Sequence, residues 1–544
     1  MSNDLAQQDK LAKLKTLRTK TDLSLRPTKH LKTTFTNFKG EEVPLVIRYY
    51  QVQGVLHLIV MKRFVLGDDT GLGKTLQVIA ALCYIWEKDP QRKAIVLTTK
   101  SATRQWVDEF GKFTTGVSVF TCSGTPAQRK AIYKQFKASK GPTVMVMGYR
   151  TLVQDFTLLQ KWEGFVLAAD ECVAFKNPKT QVHQVCRHMG GQADRVWGLT
   201  ATLIKNHLME GYGIYQVILP DLFAMSYNSF MMYYALTKQQ SIGGNRHITV
   251  VTGYQPEKIR EFRENIDPYF IGRPKHEVAT ELPSLTSKIV EVDLNQDQID
   301  KYDNALEGLL EMGREDRLIE KEVTKLSAIA YCQEIVNHLE LIDCEGGSSK
   351  LEAIVDLLTD AGEFDGEKVI IFSRFEKMIS LVMSRLKAEK VKAVRVTGKE
   401  NIDQRKASMD AFQDPLSDVR VICITTAGSE ALNLQAAKAI ICIDTPWSAG
   451  EFIQLVGRMI RIGSEHDKCY VVHLVARKGR GKNGETIDHR VMEVLGKKMV
   501  LVEAVLGKRI KGEGDEVQIS VENDLSNLFA AMKQDAREAK LGAI

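Results

Sequence analysis

Lys74 and Thr75 close the segment Leu66-Gly67-Asp68-Asp69-Thr70-Gly71-Leu72-Gly73-Lys74-Thr75, which follows the apolar run Phe64 to Leu66 and precedes a helical pattern from Leu76 to Trp86. A strand that delivers the chain, glycines that let backbone N–H groups approach, and the positive dipole end of a helix together make a cradle for phosphate. In such a cradle Lys74 reaches the β- and γ-phosphates of a nucleotide and Thr75 holds Mg²⁺. Asp68 departs from the general pattern GxxxxGK[ST], which has its first glycine there. On this segment alone, a chance Gly-Lys-Thr turn before a buried helix stays open.

Two further groups could complete the chemistry. Ala168-Ala169-Asp170-Glu171 ends an apolar run with two carboxylates, at the edge where a parallel sheet places its ligands. Phosphoryl transfer to water needs one acid to hold Mg²⁺ and one group to orient the water, which suits Asp170 and Glu171 respectively. In Gln454-Leu455-Val456-Gly457-Arg458-Met459-Ile460-Arg461-Ile462-Gly463, Arg458 and Arg461 are three apart, so on a helix they point the same way. Planar guanidinium groups stabilise charge spread over a γ-phosphate. The bland alternative, a solvated helical face, fits poorly with flanks that are apolar or small.

These groups need parallel strands to hold them. Arg63–Gly67, Ala94–Thr99, Thr143–Tyr149, Phe165–Glu171 and Arg195–Ala201 are short apolar runs, each followed by a turn and an amphipathic stretch. The same texture returns at Lys368–Ser373, Lys392–Thr397, Val419–Thr426, Lys438–Thr445 and Tyr470–Ala476. The alternation predicts two α/β lobes with crossover helices, at 45–215 and 346–505. Residues 216–345 show long helical periodicity, as in Ile299 to Leu318 and Val323 to Leu341, and read as helical insertions and a brace between the lobes. Ser241-Ile242-Gly243-Gly244-Asn245 reads as a hairpin turn within that region.

A chain of 544 residues that is 44% hydrophobic can bury several cores. Its net charge of +6 is compatible with a polyanionic partner without requiring one. The nine cysteines are scattered without a CxxC pair, so they read as reduced thiols rather than a zinc site. No secretory apolar segment begins the chain, and no apolar run is long enough to span a membrane, which predicts a cytoplasmic protein that is not secreted. Residues 1–44 form a basic arm, read either as a solvated, partly helical tail or as a DNA-contacting arm. The tail 506–544 carries Leu525, Leu528, Phe529 and Met532 at helical spacing, which predicts an amphipathic helix packed on its own lobe.

In their order along the chain, these segments resemble the superfamily-two helicase motors of the Swi/Snf type, ATPases that translocate on double-stranded DNA. Ile47 to Gly54 resembles the adenine-reading segment, with Gln51 on the base. Asp68 to Thr75 resembles the first motif, which commonly begins with Asp, so the departure at Asp68 becomes a family mark. Leu97 to Phe110, with Gln105-Trp106 and Glu109-Phe110, resembles the next motif. Asp170-Glu171-Cys172-Val173, followed by Phe175-Lys176-Asn177, is similar to the DEAH-type box, and Gly198 to Thr202 with Asn206 and Glu210 is similar to the coupling motif. Val369 to Arg374, Thr425 to Leu434 and Gln454 to Gly463 resemble motifs four, five and six. Arg273-Pro274-Lys275, Glu281-Leu282-Pro283 and Gln298 to Tyr302 resemble the family's connector.

The resemblance implies two tandem RecA-like parallel-sheet lobes with ATP and magnesium between them. Nucleotide contacts carried over are Arg48, Gln51, Asp69, Thr70, Gly71, Leu72, Gly73, Lys74, Thr75 and Gly428, with Thr75 and Asp170 on the metal. Lys74, Asp170, Glu171, Gln454, Arg458 and Arg461 are carried over as catalytic, and Thr200, Ala201 and Thr202 as coupling residues. Phosphates of nucleic acid are expected near Thr99, Lys100, Ser101, Ser373, Arg374, Thr425 and Thr426, and contacts of that kind are independent of base sequence. The loop Arg477 to Lys482 is either a further contact or a solvated turn. Trp106 and Trp447 are expected in core packing or loop support rather than in base stacking.

Val173 stands where the DEAH-type box has histidine, and Ser429 and Ala431 replace two glycines of motif five, which predicts an active ATPase with altered coupling. The leading reading is an ATP-dependent double-stranded DNA translocase, a monomer that remodels DNA–protein complexes or branched DNA. A strand-separating DNA or RNA helicase is the second reading. A non-hydrolysing nucleic-acid-binding regulator, favoured only by Val173, is the third. The short segments outside the core lack histone-reading modules, which points to a bacterial or viral motor in a bacterial cytoplasm or infected cell rather than to nucleosome work.

Overall fold

The computed structural model describes residues 16–36, 41–100, 102–204, 207–241, 247–278, 283–315, 322–359, 361–426, 432, 434–460, 464, 466–479, 484–506 and 519–520. Two units form. The first is built mainly from Met1–Tyr234 and Glu257–Thr280, the second mainly from Ala235–Pro256 and Glu281–Glu503.

The first unit contains a seven-stranded sheet. Its strands are β1 (Arg63–Leu66), β2 (Lys93–Thr98), β3 (Ser118–Cys122), β4 (Thr143–Gly148), β5 (Val166–Asp170), β6 (Arg195–Leu199) and β7 (Phe270–Ile271). They run parallel in the order β7-β1-β6-β5-β2-β4-β3. The central strands are apolar on both faces, as a sheet covered by helices requires. The core joins Val96, Val146, Ala168 and Trp197 of the sheet to Val78, Leu82 and Trp86 of the helix after β1. Loops at the carboxyl ends of β1, β6, β5 and β2, four neighbours in the sheet, carry the phosphate loop, the coupling motif, the acid pair and the Thr99 segment.

The second unit contains a six-stranded parallel sheet: β8 (Ser284–Asp293), β9 (Val369–Phe372), β10 (Ala393–Val396), β11 (Val421–Ile424), β12 (Ala439–Cys442) and β13 (Lys468–Arg477). Their order is β8-β13-β12-β9-β11-β10. The two-residue period of β9 divides the core: Val369 and Ile371 pack on one face, Ile370 and Phe372 on the other.

All of the strands expected from the sequence form, and their ends move by one to three residues. The stretch read as helical insertions is mixed. Helices occupy Gln296–Glu315 and Glu322–Asn337, but Leu236–Ser241 pairs antiparallel with His247–Tyr254, β7 is an edge strand of the first sheet and β8 an edge strand of the second. In β8 the alternation turns Val290 and Val292 towards the core and Ile289 outward, which is an edge-strand pattern rather than a helical one. From Thr16 onward the basic arm is docked, not free: Leu17, Leu25, Leu31 and Phe35 pack on the first core, and Lys32 N–H donates to the Phe113 carbonyl at 2.9 Å. The turn 242–246, the predicted tail helix, the first fifteen residues and the Arg480 to Lys482 part of the basic loop lie outside the described residues. Among the described residues, no helix is long and apolar enough to cross a membrane, and no cluster of His, Cys, Asp or Glu could hold a metal by itself.

Candidate nucleotide site

The phosphate loop runs from β1 into α2 (Lys74–Lys88), and it is built against α1 (Tyr49–Val60). Gly71 and Gly73 have φ of 90° and 77°, the left-handed region that glycine enters without steric cost. A Cβ at Gly73 would also stand 2.6 Å from the Gln51 amide nitrogen. That amide bridges two elements: Gln51 Nε2 donates to the Leu72 carbonyl at 3.1 Å, and Gln51 Oε1 accepts the Arg48 N–H at 3.0 Å as the cap of α1. Leu72 and Thr70 are buried, while Thr75 is half-buried on the first turn of α2. Lys74 Nζ donates to the carbonyls of Asp68 at 2.6 Å and Asp69 at 3.3 Å. Burial lowers the pKa of its ammonium, and the charges of Glu171, Asp68, Asp170 and Asp69 oppose the fall.

Asp170 ends β5 with its carboxylate held from three sides. Trp106 Nε1 on α3 (Thr103–Phe113) donates to Oδ2 at 2.8 Å and Thr98 Oγ1 does so at 3.0 Å, while Oδ1 accepts the Glu171 N–H at 3.1 Å. Tyr149 Oη donates to the Asp170 carbonyl at 2.6 Å. Such partners fix the orientation of a metal-binding carboxylate. Glu171 is half-buried and takes φ 49°, ψ 54°, a left-handed backbone that costs a non-glycine residue free energy and recurs at functional sites. Directly behind it Cys172 is fully buried, and burial pushes its thiol pKa well up. Trp106 is 2% exposed, so it serves as an orienting donor within the core.

Thr200, Ala201 and Thr202 are buried after β6. The Thr200 N–H donates to the Leu66 carbonyl at 3.1 Å, and the Thr200 hydroxyl donates to the Thr202 carbonyl at 2.9 Å. The coupling segment is thereby tied to the strand that delivers the phosphate loop. Among the described residues, the buried Thr202 Oγ1 has no hydrogen-bond partner. A second tie joins Lys176, after the acid pair, to Glu210: their charged groups lie 2.5 Å apart. Val173 is half-buried in the short turn Cys172–Phe175 between them.

Asp68 and Arg273 form a contact that sequence spacing did not reveal. Arg273 Nε and Nη2 donate to the two oxygens of Asp68 at 2.8 and 2.6 Å, and both side chains are buried. The available signal was a charged residue inside an apolar loop entry, which demands a partner.

In the second unit, Gln454 and Arg458 lie one turn apart on the helix Ala449–Met459, with Arg458 mostly buried. That helix ends at Met459, and Ile460 is extended. Arg461 itself, Gly428 and Ser101 lie outside the described residues, as do Asn206, Ser429 and Ala431. Thr99 and Thr426 are half-buried, Lys100 is exposed and Thr425 is buried at the end of β11.

Ser373, expected on a phosphate, is instead fully buried with its hydroxyl on Asp444 Oδ2 at 2.5 Å. An apolar sheet end gives Asp444 no water, and Ser373 Oγ–H and the Arg374 N–H (2.9 Å to Oδ1) take its place. The guanidinium of Arg374 lies over Trp447, 4.8 Å from the ring centre, and donates to Gln333 Oε1 at 3.2 Å. Trp447 supports a motif loop. Lys350, on the helix Ser349–Leu358, is fully buried with Nζ 2.6 Å from Asp488, 2.6 Å from the Ile443 carbonyl and 2.8 Å from Asn337 Oδ1.

The donor set of the first unit fits a polyphosphate with its metal. A left-handed glycine precedes a helix N-terminus, one lysine stands among four carboxylates, and an oriented aspartate ends β5 in the same sheet. Two parallel sheets of RecA-like type, one carrying this set, define a helicase-like ATPase. The chain matches the SNF2-related domain over residues 50–341 and the helicase conserved C-terminal domain over residues 349–463, and it belongs to the SNF2-related family.

Among curated relatives, it is 25% identical over 477 residues to the mouse chromodomain-helicase-DNA-binding protein 1-like, covering 85% of this chain and 50% of that protein. It is 26% identical to the SWI/SNF chromatin-remodeling complex subunit snf22 of Schizosaccharomyces pombe (77% of this chain, 26% of that protein). It is 24% identical to an uncharacterized ATP-dependent helicase of Mycoplasma genitalium (85% and 42%). The chain thus spans half or less of the length of these relatives. Among solved structures, the Sulfolobus solfataricus SWI2/SNF2 ATPase core in complex with dsDNA aligns with a TM-score of 0.41 at 21% identity, covering 94% of this chain and 98% of that one.

Proposed function

We propose that the chain hydrolyses ATP and couples hydrolysis to movement along double-stranded DNA, remodelling DNA–protein complexes or branched DNA. The observation that carries the reading is the convergence of Lys74, after β1, with Asp170 and Glu171, at the end of β5 with only β6 between the two strands in the same sheet, and with Glu171 held in a left-handed backbone. Loop amides and Lys74 bind the phosphates of the substrate, and Glu171 orients the attacking water and takes its proton. Thr75 and Asp170 would hold Mg²⁺, which would supply positive charge to neutralise the phosphates. Trp106 and Thr98 keep the Asp170 carboxylate aimed. Arg458 and Arg461 stabilise the charge that develops on the γ-phosphate, and Gln454, one helical turn before Arg458, serves the same group.

The tie from Thr200 to Leu66 and the pair Lys176–Glu210 support a route by which the phosphate loop and the coupling segment move together. Thr99, Lys100, Arg374, Thr425 and Thr426 contact DNA phosphates, and Ser373 holds that loop from behind. The family and the DNA-binding and remodelling names of its relatives support DNA as the track. ATP turnover measured in parallel with linear duplex, forked duplex, single-stranded DNA and RNA at one stated salt concentration tests the reading. Stimulation by duplex without separation of a tailed duplex is expected. Stimulation by single strands with unwinding would favour a helicase, and no turnover with any of them would reject the proposal.

A further inference from the structure

Asp68 faces two ways. Its carboxylate is clamped by the guanidinium fork of Arg273 and by Gln77 Nε2 at 3.0 Å, while its carbonyl accepts Lys74 Nζ at 2.6 Å. The main chain is joined at the same place. The Gly67 N–H donates to the Ile271 carbonyl at 2.6 Å, and the Asp69 N–H donates to the Arg273 carbonyl at 3.1 Å. A Cβ at Gly67 would come within 2.4 Å of the Phe270 ring and displace it. Arg273 also donates from Nη1 to Gln53 Oε1 at 3.2 Å, and Gln53 Nε2 donates in turn to the carbonyls of Arg18 and Lys20. The guanidinium of Arg273, just after β7, thus holds the phosphate loop and the helix bearing Gln51, and through Gln53 it reaches the basic arm. The chain leaves the first unit shortly after Arg273, at Thr280.

We propose that Arg273 is a positioning residue for the nucleotide: by holding Asp68 it sets the phosphate loop, and it makes the segment leaving the first unit respond to nucleotide binding. The inference rests on the nucleotide site proposed above. A lysine at this position would supply charge without the two-pronged geometry. Replacing both partners, as in Asp68→Asn with Arg273→Met, leaves no buried charge unpaired and so separates positioning from mere folding.

The test uses the full chain with Mg²⁺ and a fluorescent ADP, together with hydrogen exchange of the peptide 268–278 with and without ADP. In Arg273→Lys and in the double variant, the dissociation constant is expected to rise about tenfold, with KM for ATP rising in step and kcat changing less. ADP is expected to slow exchange in 268–278 of the unsubstituted protein and not in the double variant. Unchanged affinity in a variant that melts cooperatively overturns the proposal. So does an unsubstituted protein that binds ADP without any change in 268–278, and this arm decides the matter if both variants fail to fold. An unsubstituted protein that binds no nucleotide at all rejects the site itself, a distinct failure.

Discussion

Asp170 and Asp444 occupy comparable places, each at or just past the carboxyl end of a central parallel strand, yet they are used differently. Asp170 is only half-buried, and its three partners aim it without enclosing it. Asp444 is 1% exposed, and the Ser373 hydroxyl, the Arg374 N–H and Asn337 Nδ2 surround it. Burial raises its carboxyl pKa, against the pull of those donors. The same architecture thus leaves one carboxylate accessible, as the proposed role of Asp170 requires, and turns its counterpart into an internal joint under the Ser373-Arg374 loop.

The contrast can be broken most sharply at the acids. Glu171→Gln and Asp170→Asn should each cut ATP turnover by about 10²–10⁴-fold with nucleotide binding retained, measured by steady-state turnover and equilibrium binding. Asp444→Asn should instead shift melting and leave ATP turnover of the folded protein close to that of the unsubstituted chain; an equal loss of turnover at both positions would erase the distinction. Next in size is Lys350→Met, which leaves Asp488 buried without its cation and should destabilise the second unit by about 3–5 kcal/mol in denaturant titrations.

A second comparison matches the units instead of contrasting them. His57 in the first and His473 in the second are each held by burial at a pKa of about 4, below the ordinary 6.5. A lowered histidine contributes stability that is complete above 6.5 and is lost as pH falls towards 4, about 3 kcal/mol for each at most. His57→Gln and His473→Gln should each flatten the stability profile of their own unit between those limits, in urea titrations at a series of pH values. The smallest effect is Trp106→Phe, which removes one donor to Asp170 and should lower turnover about tenfold while raising the Mg²⁺ needed for half-maximal rate.

Much of this was legible in the sequence. The strands announced themselves as apolar runs spaced by turns, and Lys74, Asp170 and Glu171 fell on their ends because each motif is local. What escaped was choice of partner. Asp68 and Arg273 are 205 positions apart, and periodicity carries no information over that range. Trp106 was placed in the core correctly, but nothing in its neighbours names Asp170 as the acceptor. The two-residue β7 is too short to show a period, and β8 was absorbed into a helical reading although its alternation was visible. Ser373 looked like a surface hydroxyl because hydroxyls are common on phosphate, and only the buried Asp444 explains its inward turn.

Cys172 offers a practical dividend. It sits sealed immediately behind Glu171, so a thiol reagent can reach it only when the strand end opens. Its labelling rate, read peptide by peptide, would clock the breathing of the acid pair in the natural protein, with no probe introduced, and would show whether a bound nucleotide slows that clock.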